Sequence, residues 1–307
     1  MKKILLTGAT GFLGSHIAEE LIKQGFKVIA LKRPTSNLWR CDNFSHNFKW
    51  INIGNTNLAQ EEIIKANPDI LIHAAWGGVK SANRNNWIEQ EKNLSFLTYL
   101  FDIVKKTKIS KIIALGSQAE YGDFEGLINE KYNCSPNTAY GAAKVSSSIM
   151  LRSFAEGNNI DWYWIRLFSV FGPREDKTWL IPATITNLLL GKVIKLTPCE
   201  QKYDYIFTRD FASGIVKVVN ERNNLSGVYN FSSGRSVKLR DILSFIENEV
   251  SPRKNLLKFG ALPYRSNQVM NMQGNSNLFF KSFDFKPKYE LYAGLKETIK
   301  YYINTLK

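Results

Sequence analysis

The sequence predicts an α/β fold, a doubly wound parallel sheet followed by a smaller C-terminal lobe. Three observations point there. Short apolar runs alternate with helix-period segments through the first half of the chain. The glycine-rich stretch Thr7-Gly8-Ala9-Thr10-Gly11-Phe12-Leu13-Gly14 follows the first apolar run directly and opens the first helical segment. A length of 307 residues, with 44% hydrophobic and 22% charged, suits one large globular core or a core with a lobe.

The elements follow in order. Residues 3–7 are a strand, and 12–24 a helix with Leu13, Ile17, Leu21 and Ile22 on one face, stopped by Gly25. Strands follow at 28–31 and 49–53, and a helix at 58–66. Pro68 marks the entry to a strand at 70–73. A long amphipathic helix spans 87–106, a strand 111–115, a helix 139–156 and a strand 162–167. Such alternation places a parallel sheet beneath helices on both faces. After Gly172-Pro173 the pattern loosens. A helix at 182–190, a short strand at 205–207, a helix at 211–219, a strand at 228–231 and helices at 239–250 and 295–303 complete the chain.

Composition excludes several classes. Met1-Lys2-Lys3 before Ile4-Leu5-Leu6 has the outline of a signal peptide, but the run is short and Gly8, Gly11 and Gly14 break it. No apolar run is long enough to span a bilayer. Cys41, Cys134 and Cys199 are odd in number and widely spaced, so neither a disulfide framework nor a zinc site is expected, and a reducing cytosol is the expected compartment. His16, His46 and His73 lack ligand spacing, so no metal is expected. The net charge of +14 is spread over dispersed lysines with no basic stripe. It reads as a solvated surface plus a pocket for anionic ligands, not as a nucleic-acid or membrane partner surface.

The glycine loop carries the first chemistry. Its glycines permit a tight turn and close approach of backbone to a pyrophosphate, which then meets the free N–H groups and positive dipole end of a helix. A lone glycine triplet is a weak signal. With a strand before it, a helix after it and a second strand beyond, it marks the dinucleotide turn of a Rossmann sheet. Gly8, Thr10, Gly11, Phe12, Leu13 and Gly14 are the expected contacts. The second strand ends at Leu31, where NAD-preferring sheets place a carboxylate for the ribose 2′-hydroxyl. Here Lys32 and Arg33 follow. A guanidinium pairs with a 2′-phosphate that a carboxylate would repel, so NADP(H) is the expected cofactor, with Ser36 as an extra donor.

Tyr140 and Lys144 stand four residues apart at the start of a helix and therefore share a face. An ammonium beside a phenol favours the phenolate and brings the tyrosine toward acid–base duty. Ser117 follows the preceding strand and is expected at the carboxyl edge of the sheet, where ligands bind.

Together these motifs resemble the extended short-chain dehydrogenase/reductase family, the NAD(P)-dependent nucleotide-sugar epimerases, dehydratases and reductases. The matching pieces are Gly8-x-x-Gly11-x-x-Gly14, His73-Ala74-Ala75, Ser117 with Tyr121-Gly122, Tyr140-x-x-x-Lys144, Arg166-Leu167-Phe168 running to Phe171-Gly172-Pro173, and Tyr229-Asn230. Leu262-Pro263-Tyr264-Arg265 and Phe285-Lys286-Pro287 also fit, so the likeness covers the whole length. The resemblance implies Tyr140 as general acid/base, Lys144 on the nicotinamide ribose, and Ser117 on the reacting oxygen. It places Asn52 and Ile53 beside the adenine, although the family usually has Asp where Asn52 stands. Ala74, Ala75, Trp76 and Leu167 would line the cofactor, with Asn93 in support. Ser169 falls where many members carry a substrate-contacting Asn. Arg265 would reach the substrate diphosphate, while Tyr203 stands where some relatives have an Arg. Residues 1–172 with about 204–231 would form the NADP-binding Rossmann domain, and about 173–203 with 232–307 the nucleotide-sugar lobe. Family members often pair through two long helices, here 87–106 and 139–156, so a homodimer is expected.

The run Ser117-Gln118-Ala119-Glu120-Tyr121-Gly122 bears on the reaction. The 4,6-dehydratases that the chain resembles carry acid and base carboxylates where Gln118 and Ala119 stand. Glu120 is displaced by one residue and, on extended backbone, points the other way. A 4-ketoreductase and a 4-epimerase remain. The basic pair after the second strand suits a reductase that exchanges NADPH each turnover, acting on an NDP-4-keto-6-deoxyhexose in deoxysugar and surface-polysaccharide biosynthesis. The alternative is an NAD(P)-dependent 4-epimerase, and further off a non-catalytic NADP(H) sensor, from which loss of Tyr or Lys would be expected. Trp162, Tyr163 and Trp164 lie in a strand and read as core. Trp76, Gln118 and Trp179 lie near loops and are candidates for the sugar pocket.

Overall fold

A computed structural model describes residues 1–252, 254–266 and 268–306. The first half runs β1 (Lys3–Thr7), α1 (Phe12–Lys23), β2 (Lys27–Lys32), β3 (Phe48–Asn52), α2 (Thr56–Ala66) and β4 (Ile70–His73). It continues through α3 (Trp87–Lys105), β5 (Lys111–Ser117), β6 (Gly126–Ile128), α4 (Ala139–Gly157), β7 (Asp161–Leu167) and β8 (Ser169–Phe171). Then come α5 (Leu180–Leu189), β9 (Ile194–Lys195), β10 (Lys202–Phe207), α6 (Thr208–Asn220), β11 (Gly227–Phe231) and β12 (Ser236–Lys238). The chain ends with α7 (Leu239–Val250), β13 (Leu257–Lys258), β14 (Asn271–Gly274), α8 (Asn277–Ser282) and α9 (Leu291–Leu306).

Seven strands form one sheet in the order β11-β7-β5-β4-β1-β2-β3, all paired in parallel. The order reverses between β1 and β4, which is the switch point of a doubly wound Rossmann sheet. The period of two along each strand sorts side chains to the two faces. Ile4 and Leu6 join α1 and α6 in one core, whereas Leu5 meets α2, α3 and α4 in the other. Burial on both faces explains why β1, β4 and β5 are almost unbroken apolar runs.

The remaining strands organise the lobe. A second sheet runs β12-β10-β14-β6, and β8 also pairs with β10. Its neighbours α5, α7 and α9 enclose a core that includes Ile185, Ile242, Ile246, Leu295 and Ile299. Residues 126–128, from the first half, thus lie in the second sheet, as do residues 202–207. No helix among the described residues is long and apolar enough to cross a membrane.

One local expectation is corrected. Residues 118–121 form a 3-10 turn, not extended backbone, because Ser117 and Glu120 cap it reciprocally. Strands β6, β8, β9, β12, β13 and β14 have two to four residues each, too few to print a period on the sequence.

Candidate active site

The carboxyl ends of β1, β4, β5 and β7 bring Thr7, His73, Ser117 and Leu167 to one edge of the sheet. There the glycine loop turns. Gly8 has φ +75°, and a Cβ on it would lie 2.6 Å from the Ala75 nitrogen. A Cβ on Gly14 would land on the Gly8 carbonyl oxygen. The loop therefore packs backbone to backbone against Ala74 and Ala75, which is why these residue types are required. Thr7 Oγ1 ties the two segments, accepting the Ala75 N–H at 3.1 Å and bonding His73 Nδ1 at 2.9 Å. Gly11 caps α1 without a side-chain bond, so its first N–H groups are available to an anion. This backbone cradle could hold a dinucleotide pyrophosphate, which Gly8, Thr10, Gly11, Phe12, Leu13 and Gly14 would then surround. His73 and His16 are both pulled down to about 3, mainly by burial, and stay neutral.

At the end of β2, Lys32 lies opposite Asn52 in the β2–β3 register, and the Ile53 N–H donates to the Lys32 carbonyl at 2.9 Å. Arg33 and Ser36 close a turn: the Arg33 N–H donates to the Ser36 hydroxyl and the Ser36 N–H to the Arg33 carbonyl, each at 3.0 Å. The structure thus gathers Lys32, Arg33, Ser36, Asn52 and Ile53. The Asn52 side-chain Oδ1 accepts the Gly54 N–H at 2.9 Å.

Tyr140 occupies the first turn of α4, whose cap is the Thr138 hydroxyl accepting the Gly141 N–H. It is 6% exposed. Burial raises its phenol above the ordinary tyrosine value, opposed by the Ser117 hydroxyl and by the charge of Arg84. Lys144 was expected to lower the phenol, but the structure aims it elsewhere. Its Nζ donates to the Leu115 carbonyl at 2.6 Å and lies 3.4 Å from the centroid of the Trp76 ring, against 5.9 Å for Tyr140. Burial pulls this ammonium down to about 7. Trp76 is itself held by Gln90, and the neighbouring Gly77 is clasped by Asn93 at both N–H and carbonyl.

Glu120 is fully buried. One oxygen accepts the Ser117 N–H at 2.8 Å and Trp164 Nε1 at 2.9 Å; the other pairs with Arg166 Nε at 2.7 Å. Arg166 continues to the Tyr121 hydroxyl, which donates to Asn230. Three N–H donors engage this buried carboxylate, so it supports the Ser117 turn. Gln118 and Ala119 are half-buried and carry no carboxylate.

Other expected residues sit around the lobe. Ser169 begins β8 in register with Tyr205, and Trp179 precedes α5 at 37% exposure. Arg265 is exposed on a loop near Tyr203, whose phenol its charge lowers against burial. Sequence reasoning missed the contacts that join distant segments. Lys80 pairs with Asp176 at 2.8 Å, bridging the loop after β4 and the segment before α5. Arg40 reaches the carbonyls of Arg174 and Thr10. Neither pair leaves a local spacing that could announce it.

A sequence model of the NAD dependent epimerase/dehydratase family matches residues 4–232. The chain belongs to that family. Over 304 residues it is 27% identical to a CDP-abequose synthase of Salmonella muenchen, covering 97% of each. It is 26% identical over 292 residues to a dTDP-6-deoxy-L-talose 4-dehydrogenase (NAD(+)) of Aggregatibacter actinomycetemcomitans, covering 88% of this chain and 98% of that one. A UDP-glucose 4-epimerase structure from Thermotoga maritima superposes with a TM-score of 0.89 at 22% identity, over 99% of this chain and 100% of the other. Membership makes the protein an enzyme of NAD(P)-dependent type on the extended short-chain dehydrogenase/reductase fold.

Proposed function

We propose that this family member is an NADPH-dependent reductase of the C4 ketone of an NDP-4-keto-6-deoxyhexose. The observation that carries the reading is the basic pair Lys32 and Arg33, placed with Ser36 and Asn52 at the end of β2 where no carboxylate stands. The names of two relatives support the sugar class: one makes a CDP-linked sugar, and the other acts at C4 of a dTDP-6-deoxyhexose, there with NAD(+). The occupied carboxylate of Glu120 argues against water elimination.

In this reading Tyr140 gives its phenolic proton to the C4 oxygen, and Ser117 hydrogen-bonds that oxygen as its charge develops. Lys144 can hold or release a proton near neutral pH. The bound dinucleotide supplies hydride to C4. Trp76, Gln118, Ser169 and Trp179 shape the sugar site, and Arg265 takes the diphosphate. Leu167 with Ala74 and Ala75 flanks the cofactor. We also propose a homodimer through α3 and α4, where Trp87, Ile88 and Ile149 are exposed.

Equilibrium titration of NADPH and NADH against the protein and its Lys32→Ala/Arg33→Ala variant tests the cofactor assignment. The expected result is tighter NADPH binding that collapses to the NADH level in the variant, a loss of at least about tenfold. Equal affinity for both dinucleotides in the unmodified protein sinks the assignment.

A further inference from the structure

The loop between β4 and α3 does more than connect. Its Arg84 carbonyl accepts the Tyr140 N–H at 2.8 Å, and the Asn85 side chain accepts the Ala139 N–H at 3.2 Å. Two orphan donors at the start of α4 are thus satisfied by this loop, which fixes the turn that carries Tyr140. The Arg84 guanidinium lies 5.2 Å from the centroid of the Tyr140 ring, with Nε donating to the Val79 carbonyl at 3.0 Å. Arg84 takes part in no ion pair among the described residues. The loop is anchored by Asn93 on Gly77, by Gln90 on Gly78 and by Lys80 on Asp176.

We propose that Arg84 is a positioning residue for the acid–base step: its carbonyl sets the first turn of α4, and its guanidinium holds and polarises the Tyr140 ring. The proposal rests on the assignment of Tyr140 as the acid/base, which the reductase and epimerase readings share. The charged and titratable groups that face Tyr140 are Arg84 from the loop, Lys144 from its own helix and Glu120 from the turn after β5; His73 lies behind Trp76. Glu120 opposes phenol ionisation and is neutralised by Arg166. Lys144 is turned onto Leu115 and Trp76 and carries only part of its charge near neutrality. Arg84 holds its guanidinium 5.2 Å from the centroid of the ring, with no carboxylate paired to it among the described residues. It makes Tyr140 a stronger acid toward a ketone than burial alone would leave it.

The test uses Arg84→Gln and Arg84→Lys in the full chain, assayed by whichever activity the unmodified protein shows on NDP-4-keto-6-deoxyhexoses or on unmodified nucleotide-sugars. All side-chain variants keep the backbone carbonyl that caps α4, and melting curves with dinucleotide binding verify the fold. Arg84→Gln is expected to lower kcat about tenfold with little change in KM, and to move the alkaline limb of the kcat profile to higher pH. Arg84→Lys restores most of both. A folded Arg84→Gln variant with the wild-type pH profile, or an Arg84→Lys variant as impaired as Arg84→Gln, overturns the role of Arg84. If Arg84→Gln does not fold, an Arg84→Lys profile displaced from wild type overturns it instead. Absence of both activities from the unmodified protein strikes the Tyr140 assignment, so the two failures are distinct.

Discussion

Glu120→Gln separates a supporting carboxylate from a reacting one. The side chain is fully buried, accepts two N–H bonds on one oxygen and pairs with the Arg166 guanidinium on the other. The amide keeps one acceptor but turns an N–H₂ donor toward Arg166 or toward the Ser117 and Trp164 donors. A donor then faces a donor, and Arg166, itself 7% exposed, is left without its counter-charge. Removing one partner of a buried pair costs about 3–5 kcal/mol, a factor of roughly 10² to 5 × 10³ in the folded-to-unfolded ratio. Urea unfolding followed by far-ultraviolet circular dichroism reads this directly as a lower midpoint at constant slope. Below that transition the folded variant retains turnover, reduced by no more than the loosened Ser117 turn explains. An unchanged midpoint with abolished turnover would refute the reasoning, because it would make Glu120 a group that exchanges protons with substrate.

Two further outcomes follow from the same structure. Burial with Asp176 nearby raises the Glu175 carboxyl from 4.5 to about 8, so the folded state binds this proton more tightly than the unfolded state. Stability therefore falls as pH rises from about 4.5 to about 8, and Glu175→Gln should remove that slope and stabilise the protein by about 2–4 kcal/mol at the alkaline end, measured by thermal melting across pH; an unaltered slope contradicts it. Gly14→Ala should abolish dinucleotide binding, read by fluorescence titration, because its Cβ would fall on the Gly8 carbonyl; binding within about threefold of wild type would show that the loop can yield.

The Rossmann half was legible because long periodic segments announce themselves. β1 and β4 were placed with their observed ends, and Gly8, Gly11 and Gly14 fell at the turn where backbone meets backbone. Tyr140 and Lys144 share a helix face as their spacing requires, yet spacing alone could not show where Lys144 points. That direction is set by Trp76, sixty-eight residues away in sequence, and by the Leu115 carbonyl. The lobe was harder to read because strands such as β8 and β14 gain their stability from pairing with β10, not from their own residues. Arg84 was invisible for a similar reason: it lies in irregular backbone, and its contact with Tyr140 exists only once α4 has folded against the loop.

The central claim is tested most directly by supplying NADPH and a panel of CDP-, dTDP- and GDP-linked 4-keto-6-deoxyhexoses, and following absorbance of the reduced nicotinamide with Tyr140→Phe as control. The account predicts stoichiometric NADPH consumption with one nucleotide series, falling at least about 10²-fold in Tyr140→Phe. No consumption with any ketone would contradict the reductase assignment and turn the same Ser117, Tyr140 and Lys144 toward 4-epimerisation.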